Sequence, residues 1–394
     1  TGYVVAMAVS LPLCGWLSRR IGAGRLWLSG LAAFTVASGL CATATGLVWL
    51  VVLRIVQGLA AGLLIPAGQT VLGQAVGKDR LGRTMSSLGI VVALAPALGP
   101  VIGGVLLHSL TWPWLFLINV PIGVAGLLLG LRFVPRGVRG APKPLDWLGF
   151  GLVGAGLPLL LYGLTAPAIV PLTVGVVALA AFVVRTVRRP NPLLDLTMYR
   201  NRGYLLATVA AGCGGALMFG SALIFPLYFE DLYDDPARTA GIRLLALGIG
   251  TGIAVPVAGR LTDRYGGGLI ALFGSGCALA ATIPFAFLGA DANPVLIEIL
   301  LAGFGMAIGF IAVPPGIAAF TAVRSDQLPD ATTQISIVQR VSGAIGGALL
   351  TVVLADHQAT GQLRAFHGTF SWLIGTAALT VAASYFLHRF RPTR

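Results

Sequence analysis

The chain has 394 residues, 57% of them apolar and 10% charged, with a mean hydropathy of +0.91 and a formal charge of +13. Soluble domains carry about a quarter charged residues, so two or three soluble domains of this composition would lack the polar surface to coat themselves. An arginine excess alone would suit a nucleic-acid partner, but its placement along the chain argues otherwise.

Long uncharged stretches recur, and a membrane span needs about 20 apolar residues. Thirteen spans are predicted, at 2–17, 26–45, 47–72, 84–107, 112–131, 147–165, 167–184, 203–229, 240–259, 269–289, 294–319, 332–354 and 370–388. When the connecting segments are sorted alternately, 21 of the 26 basic residues fall on one side and only Arg238 and Arg364 on the other. Arg54, Arg243 and Arg340 fall within spans. The positive-inside rule places the basic side in the cytoplasm, the N-terminus outside and the C-terminus inside. Trp16, Trp27, Trp49, Trp112, Trp114, Trp147 and Trp372 lie near span ends, as an interfacial belt requires. Residues 2–17 have no charged leader and do not read as a signal peptide. An odd number of spans with an external start predicts a further helix ahead of Thr1.

Taken in chain order, the first motif is "GWLSRRIGAG" (15–24), which returns as "GRLTDRYGGG" (259–268). Gly15/Gly259, Leu17/Leu261, Arg20/Arg264, Gly22/Gly266 and Gly24/Gly268 coincide, and each copy lies between two spans on the cytoplasmic side. Parallel repeats of this kind build one large class of transporters. Eight spans separate the copies where two six-helix halves would give six. The organisation expected is therefore an N-terminal bundle over 1–131, two inserted helices with basic connectors over 132–202, and a C-terminal bundle over 203–394.

Arg54 lies about seven residues, roughly 10 Å, from the outer end of its span. A charge there is unfavourable by at least about 2.5 kcal/mol on insertion scales and marks function unless it snorkels to the interface. "ALAPALGPVIGG" (93–104) places helix-weakening residues inside a span. Ser86, Ala95, Gly99 and Gly103 form a small-residue side that admits a close neighbour, and Pro100 bends the helix. Gln69 and Asn119 are polar groups that either line a cavity or bridge helices. The acidic stretch "EDLYDDP" (230–236) reads as an external loop, and "GIGTG" (248–252) as helix packing rather than a nucleotide site. Glu298 is the one acid well inside a span, either a proton carrier or an interfacial residue. Arg340 sits near mid-depth beside Gln339. The four cysteines lie singly and the four histidines lack ligand spacing, so no metal site is expected. There is no Walker sequence, so the energy source is an ion gradient or the substrate's own gradient.

These stretches resemble the major facilitator superfamily, specifically its fourteen-helix drug/proton antiporter branch of the EmrB/QacA type, over essentially the whole chain. "GWLSRRIGAGR" is similar to the loop motif between helices two and three, with Gly15, Arg19, Arg20 and Gly22 at its positions. "LVVLRIVQGLAAG" (50–62), with Arg54, Gln57 and Gly58, is similar to the fourth-helix motif. "ALGPVIGG" (97–104), with Gly99, Pro100, Gly103 and Gly104, is similar to the antiporter motif. "WPWLFLINVPIG" (112–123), "PLLDLTMYRNRGY" (192–204) and "QRVSGAIGGALL" (339–350) match further stretches of that branch. The resemblance implies an all-α membrane fold of two pseudo-symmetric six-helix bundles plus two central helices, with no enzymatic activity and no cofactor beyond a proton gradient. It implies a part in proton transfer for Arg54 and Gln57, whose usual acidic partner lies in the first helix. The loop motif departs from the family. Where an aspartate is expected, as in Asp263–Arg264, the first copy has Arg19–Arg20, so Arg19 either finds an acid elsewhere or its latch is weak.

The leading functional expectation is proton-coupled export of hydrophobic small molecules across the inner membrane by alternating access. The partners expected are the substrate, protons and the lipid bilayer, with no nucleic acid and any periplasmic adaptor unspecified. The alternative is a degenerate, non-transporting membrane subunit that holds a partner.

Overall fold

The structure, a computed structural model, describes residues 2–76, 80–89, 110–137, 144–166, 168–189, 192–233, 237–289, 292–357 and 362–390. The described residues are helical apart from short connections. In chain order the α-helices are α1 (Gly2–Ser10), α2 (Leu13–Ile21), α3 (Ala23–Ala42), α4 (Leu47–Ala75), α5 (81–89), α6 (Trp114–Leu117), α7 (Asn119–Phe133), α8 (Trp147–Thr165), α9 (Ile169–Arg188), α10 (Arg202–Leu227), α11 (Ala237–Tyr265), α12 (Gly267–Thr282), α13 (Pro294–Ala312), α14 (Pro314–Thr321), α15 (Leu328–His357) and α16 (Gln362–Arg389). Among the described residues, 11 helical stretches are long and apolar enough to cross a membrane.

The first predicted span, 2–17, is two helices. Pro12 has no amide hydrogen to donate, and the chain breaks at Leu11–Pro12 before resuming at Leu13. Most helices also run past the apolar limits read from the sequence. Arg19 and Arg20 lie in the last turn of α2, Arg185 and Arg188 in that of α9, and Arg264 in that of α11. These cations sit on helices rather than in loops, where the negative end of the helix dipole favours them. Glu230 and Asp231, read as part of an external loop, lie in a π-helical turn over Tyr228–Leu232 that continues α10 beyond Pro226.

By contact the chain divides into two compact units. One comprises Thr1–Ala75, Ile102–Met198 and Val323–Ile337; the other comprises Val76–Val101, Tyr199–Ala322 and Val338–Arg394. In the first unit α4 lies along α1 and α3, and α8 pairs with α9. A Cβ added at Gly58 would strike the Tyr3 carbonyl, and one at Gly62 the Met7 carbonyl, so this Gly-xxx-Gly pair brings the backbones of α1 and α4 together. The second unit is centred on fully buried rings, with Phe225 at 5.1 Å from Phe285 and 5.3 Å from Phe304 between centroids. Such edge-on pairs add to the stabilisation from burial. "GIGTG" is helix packing: a Cβ at Gly250 would strike the Ala302 carbonyl of α13.

Outward faces are apolar. Leu47, Val48, Trp49, Val51, Val52, Ile55 and Val56 all stand exposed along the start of α4. A face of this kind is what lipid covers.

The two inserted helices, α8 and α9, are clamped at one end. Asp146 caps α8 by accepting from the Gly149 amide at 3.1 Å, and the same oxygen accepts from Arg185 at 2.9 Å and Arg189 at 3.0 Å. Burial alone would raise this carboxyl's pKa, but the Arg185 and Gly149 hydrogen bonds and the two arginine charges outweigh it and hold it below its ordinary 3.8. A depressed carboxylate contributes stability that is complete above the unfolded value and lost as pH falls through the folded one. Asp146→Asn is expected to destabilise the protein by about 2 kcal/mol at pH 7. Melting in detergent should show the gap between wild type and variant narrowing below about pH 3.8.

Candidate functional site

Two residues of the fourth-helix motif, Arg54 and Gln57, form a connected group with residues of other helices in the first unit. Gln57 is buried, and its amide oxygen accepts from the Arg54 guanidinium at 2.6 Å while its amide nitrogen donates to the Ser38 hydroxyl of α3 at 2.5 Å. The guanidinium lies 4.2 Å from the centroid of Tyr3 and 5.5 Å from that of Phe116. A cation over aromatic faces is stabilised by the ring quadrupoles, more so where water is excluded. Among the described residues no carboxylate lies within ion-pair distance of Arg54. Arg54 is thus a half-buried positive charge in an apolar helix, held by an amide and two rings.

The helix contacts explain this placement. Gly58, one turn beyond Arg54, is where α1 approaches, and that approach brings Tyr3 over the guanidinium. Phe116 arrives from α6, a single turn that precedes α7. Asn119 opens α7 half-buried, three residues beyond Phe116.

The two repeat loops have one backbone design. Gly22 at φ 93° and Gly266 at φ 85° each form the whole connection between two helices, and each amide closes the preceding helix, on Ser18 at 3.0 Å and Thr262 at 2.8 Å. Only glycine takes such a φ without strain. The second arginines match too: Arg20 lies over Trp16 at 4.9 Å and Arg264 over Tyr265 at 5.2 Å.

The residues before those arginines differ. In the second unit Asp263 accepts from the Gly82 amide at 2.6 Å and the Arg83 amide at 2.9 Å, capping the first turn of α5. Gly259 and Gly82 lie so close that a Cβ on either would strike the other's backbone. In the first unit Arg19 does find an acid. It forms an ion pair with Asp330, in the first turn of α15, whose side chain is only 5% exposed. The same turns of α15 are held by a Thr70–Thr332 hydroxyl hydrogen bond of 2.8 Å and by Gln334 donating to the Asp195 carbonyl at 2.9 Å. Sequence reasoning missed Asp330, which falls two residues ahead of the predicted span 332–354.

The other candidates stand apart from the Arg54 group. Gln339 and Arg340 lie half-buried on α15, where α10 approaches so closely that a Cβ on Gly215 would strike the Gln339 backbone. Glu298 is exposed one turn into α13. Gln69 is half-buried on α4. The antiporter stretch, with Ala95, Gly99, Pro100, Gly103 and Gly104, lies outside the described residues, although its neighbour Ser86 packs on Gly259. Among the described residues no cluster of His, Cys, Asp or Glu has the arrangement of a metal site.

The model of the Major Facilitator Superfamily matches residues 1–351. The chain belongs to that superfamily. Over 368 residues it is 34% identical to a multidrug resistance protein B homolog of Mycobacterium tuberculosis (strain ATCC 25618 / H37Rv), covering 90% of this chain and 68% of that protein. Over 376 residues it is 28% identical to the multidrug export protein EmrB of Escherichia coli (strain K12), covering 91% and 72%. The human organic anion transporter MFSD10 (TETRAN) shares the fold, with a TM-score of 0.67 at 16% identity over 98% of this chain and 82% of that one. The protein is therefore a multi-pass membrane transporter of small substrates, with the major-facilitator fold, and not an enzyme.

The Arg54 group depends on the approach of α1, so Gly58→Leu in this transporter should force the Tyr3 backbone away. A loss of about 1–3 kcal/mol is expected, read as a lower melting temperature in detergent. Gly46→Ala, where a Cβ would meet nothing within 4 Å, should leave melting unchanged.

Proposed function

We propose that this transporter exports hydrophobic small molecules from the cytoplasm across the inner membrane in exchange for protons, by alternating access, with its C-terminus and basic connectors cytoplasmic. The observation that carries the reading is Arg54, a cation kept inside an apolar helix by Gln57 and the rings of Tyr3 and Phe116. Such a charge is unfavourable in lipid, so its retention there points to a function. A fixed cation lowers the pKa of any carboxyl group brought beside it. An acid that alternates between lying near Arg54 and away from it therefore releases and takes up a proton in turn. The rigid Gln57–Ser38 support keeps the guanidinium in place through that cycle. Glu298 is a second candidate for proton exchange, and Asn119, Gln339 and Arg340 are candidate contacts along the substrate path.

Export is supported by the relatives, two of which are named for multidrug resistance or multidrug export. The energetics suffice. One proton moving through about 150 mV releases roughly 3.4 kcal/mol, whereas a hundredfold substrate gradient requires about 2.7 kcal/mol.

Everted membrane vesicles energised by a proton gradient test the reading. Wild type is expected to accumulate a hydrophobic dye such as ethidium, and a protonophore to abolish the uptake. Arg54→Ala should reduce gradient-driven uptake at least tenfold while dye binding, read by fluorescence polarisation, changes less than threefold. Arg54→Lys should fall between, because an ammonium lacks the planar face that stacks on Tyr3 and Phe116. Wild-type vesicles that move none of a panel of dyes and antibiotics would favour the partner-holding subunit instead.

A further inference from the structure

We propose that Asp330 is the acid of the loop-one gate, supplied in reversed polarity from the first turn of α15 rather than from the loop itself. The inference requires that the chain transports; it does not rest on proton coupling.

The two repeats solve one packing problem with opposite charge arrangements. In the second unit Gly259 packs on Gly82, in the first turn of α5, and Asp263, four residues beyond Gly259, accepts the amides that begin that helix. In the first unit Gly15 takes the place of Gly259, and a Cβ there would strike the Asp330 carboxylate. Asp330 lies in the first turn of α15, as Gly82 lies in the first turn of α5, and Arg19 is four residues beyond Gly15. The loop acid has become a base, and the helix glycine has become an acid.

Each change alone is unfavourable. Arg19 opposite a helix N-terminus would face the positive end of the dipole. Asp330 without a cation would be a carboxylate taken out of water. Together they pair, and Asp330 in the first turn of α15 is also where the helix dipole favours an acid. The departure of loop one from the family pattern is thus compensated, and the gate keeps an ionic fastening. When the pair is made, loop one and the first turns of α15 are held together. When it parts, they separate and the cytoplasmic end of the first unit opens.

Cys14 reports on this state. It precedes Gly15, is fully buried, and its thiol meets the Thr333 side chain of α15, three residues beyond Asp330, as well as lying 3.9 Å from the Ser18 hydroxyl. Opening of the gate exposes it.

The test uses the full chain in membranes with Cys41, Cys213 and Cys277 changed to Ala, and follows labelling of Cys14 by N-ethylmaleimide. Arg19→Asp, which sets two acids against each other, is expected to speed labelling at least tenfold, and Arg19→Gln about threefold. Two double variants should return it to within twofold of the parent. Arg19→Asp with Asp330→Arg restores the pair with exchanged ends, and Arg19→Asp with Asp330→Gly rebuilds the arrangement of Asp263 and Gly82. A parallel chain retaining only Cys277, in the second unit, should label at an unchanged rate in every variant, which separates release of the gate from general loosening. If Arg19→Asp fails to accumulate and the doubles do accumulate, the pairing is supported. Unchanged Cys14 labelling in Arg19→Gln, doubles that label as fast as Arg19→Asp, or equal acceleration at Cys277 would each overturn the proposal.

Discussion

A charge buried among apolar helices, in the bilayer or at its edge, has little water to turn to, and the arrangement of this transporter follows from how each such charge is answered. Arg54 is answered by an amide and two rings, Asp330 by Arg19, Asp146 by Arg185 and Arg189, and Asp263 by the amides that open α5. Each answer comes from a different helix or from the turn beside it, so each one also fixes where two helices meet. In lipid the hydrophobic effect does not press helices together, and close packing and polar contacts set their positions instead. The glycines at 15, 58, 82 and 259 allow the backbones near enough for these contacts to form.

Much of the fold was legible in the sequence because lipid imposes a length and a polarity that leave a plain record. The repeat at 15–24 and 259–268 was also legible, since a one-residue turn at positive φ admits only glycine at 22 and 266. Helix ends were harder to read. Apolar runs stop where the hydrocarbon stops, while helices such as α9 and α11 continue to arginines that the interface and the dipole accommodate. The break at Pro12 was masked because apolar residues continue on both sides of it.

The candidate site was legible only in part. Arg54 and Gln57 declared themselves as polar residues one turn apart in an apolar stretch. Their supports, Tyr3, Ser38 and Phe116, did not, because they come from three other helices and nothing in their local sequence sets them apart. Asp330 was hidden for the same reason. The signal that finds it is the repeat itself: extending the correspondence from the loops to the helices they touch aligns Asp330 with Gly82 and shows two departures that cancel.

The corners at Gly22 and Gly266 bear on how movement is transmitted. Each joins two helices through one residue, leaving no slack by which α2 could slide along α3, or α11 along α12. Displacement at such an elbow passes on as rotation. A helix of 20 residues such as α3 is a lever about 30 Å long, so a turn of about 5° at Gly22 carries its far end roughly 3 Å. A small adjustment at one face of the membrane is thereby magnified at the other.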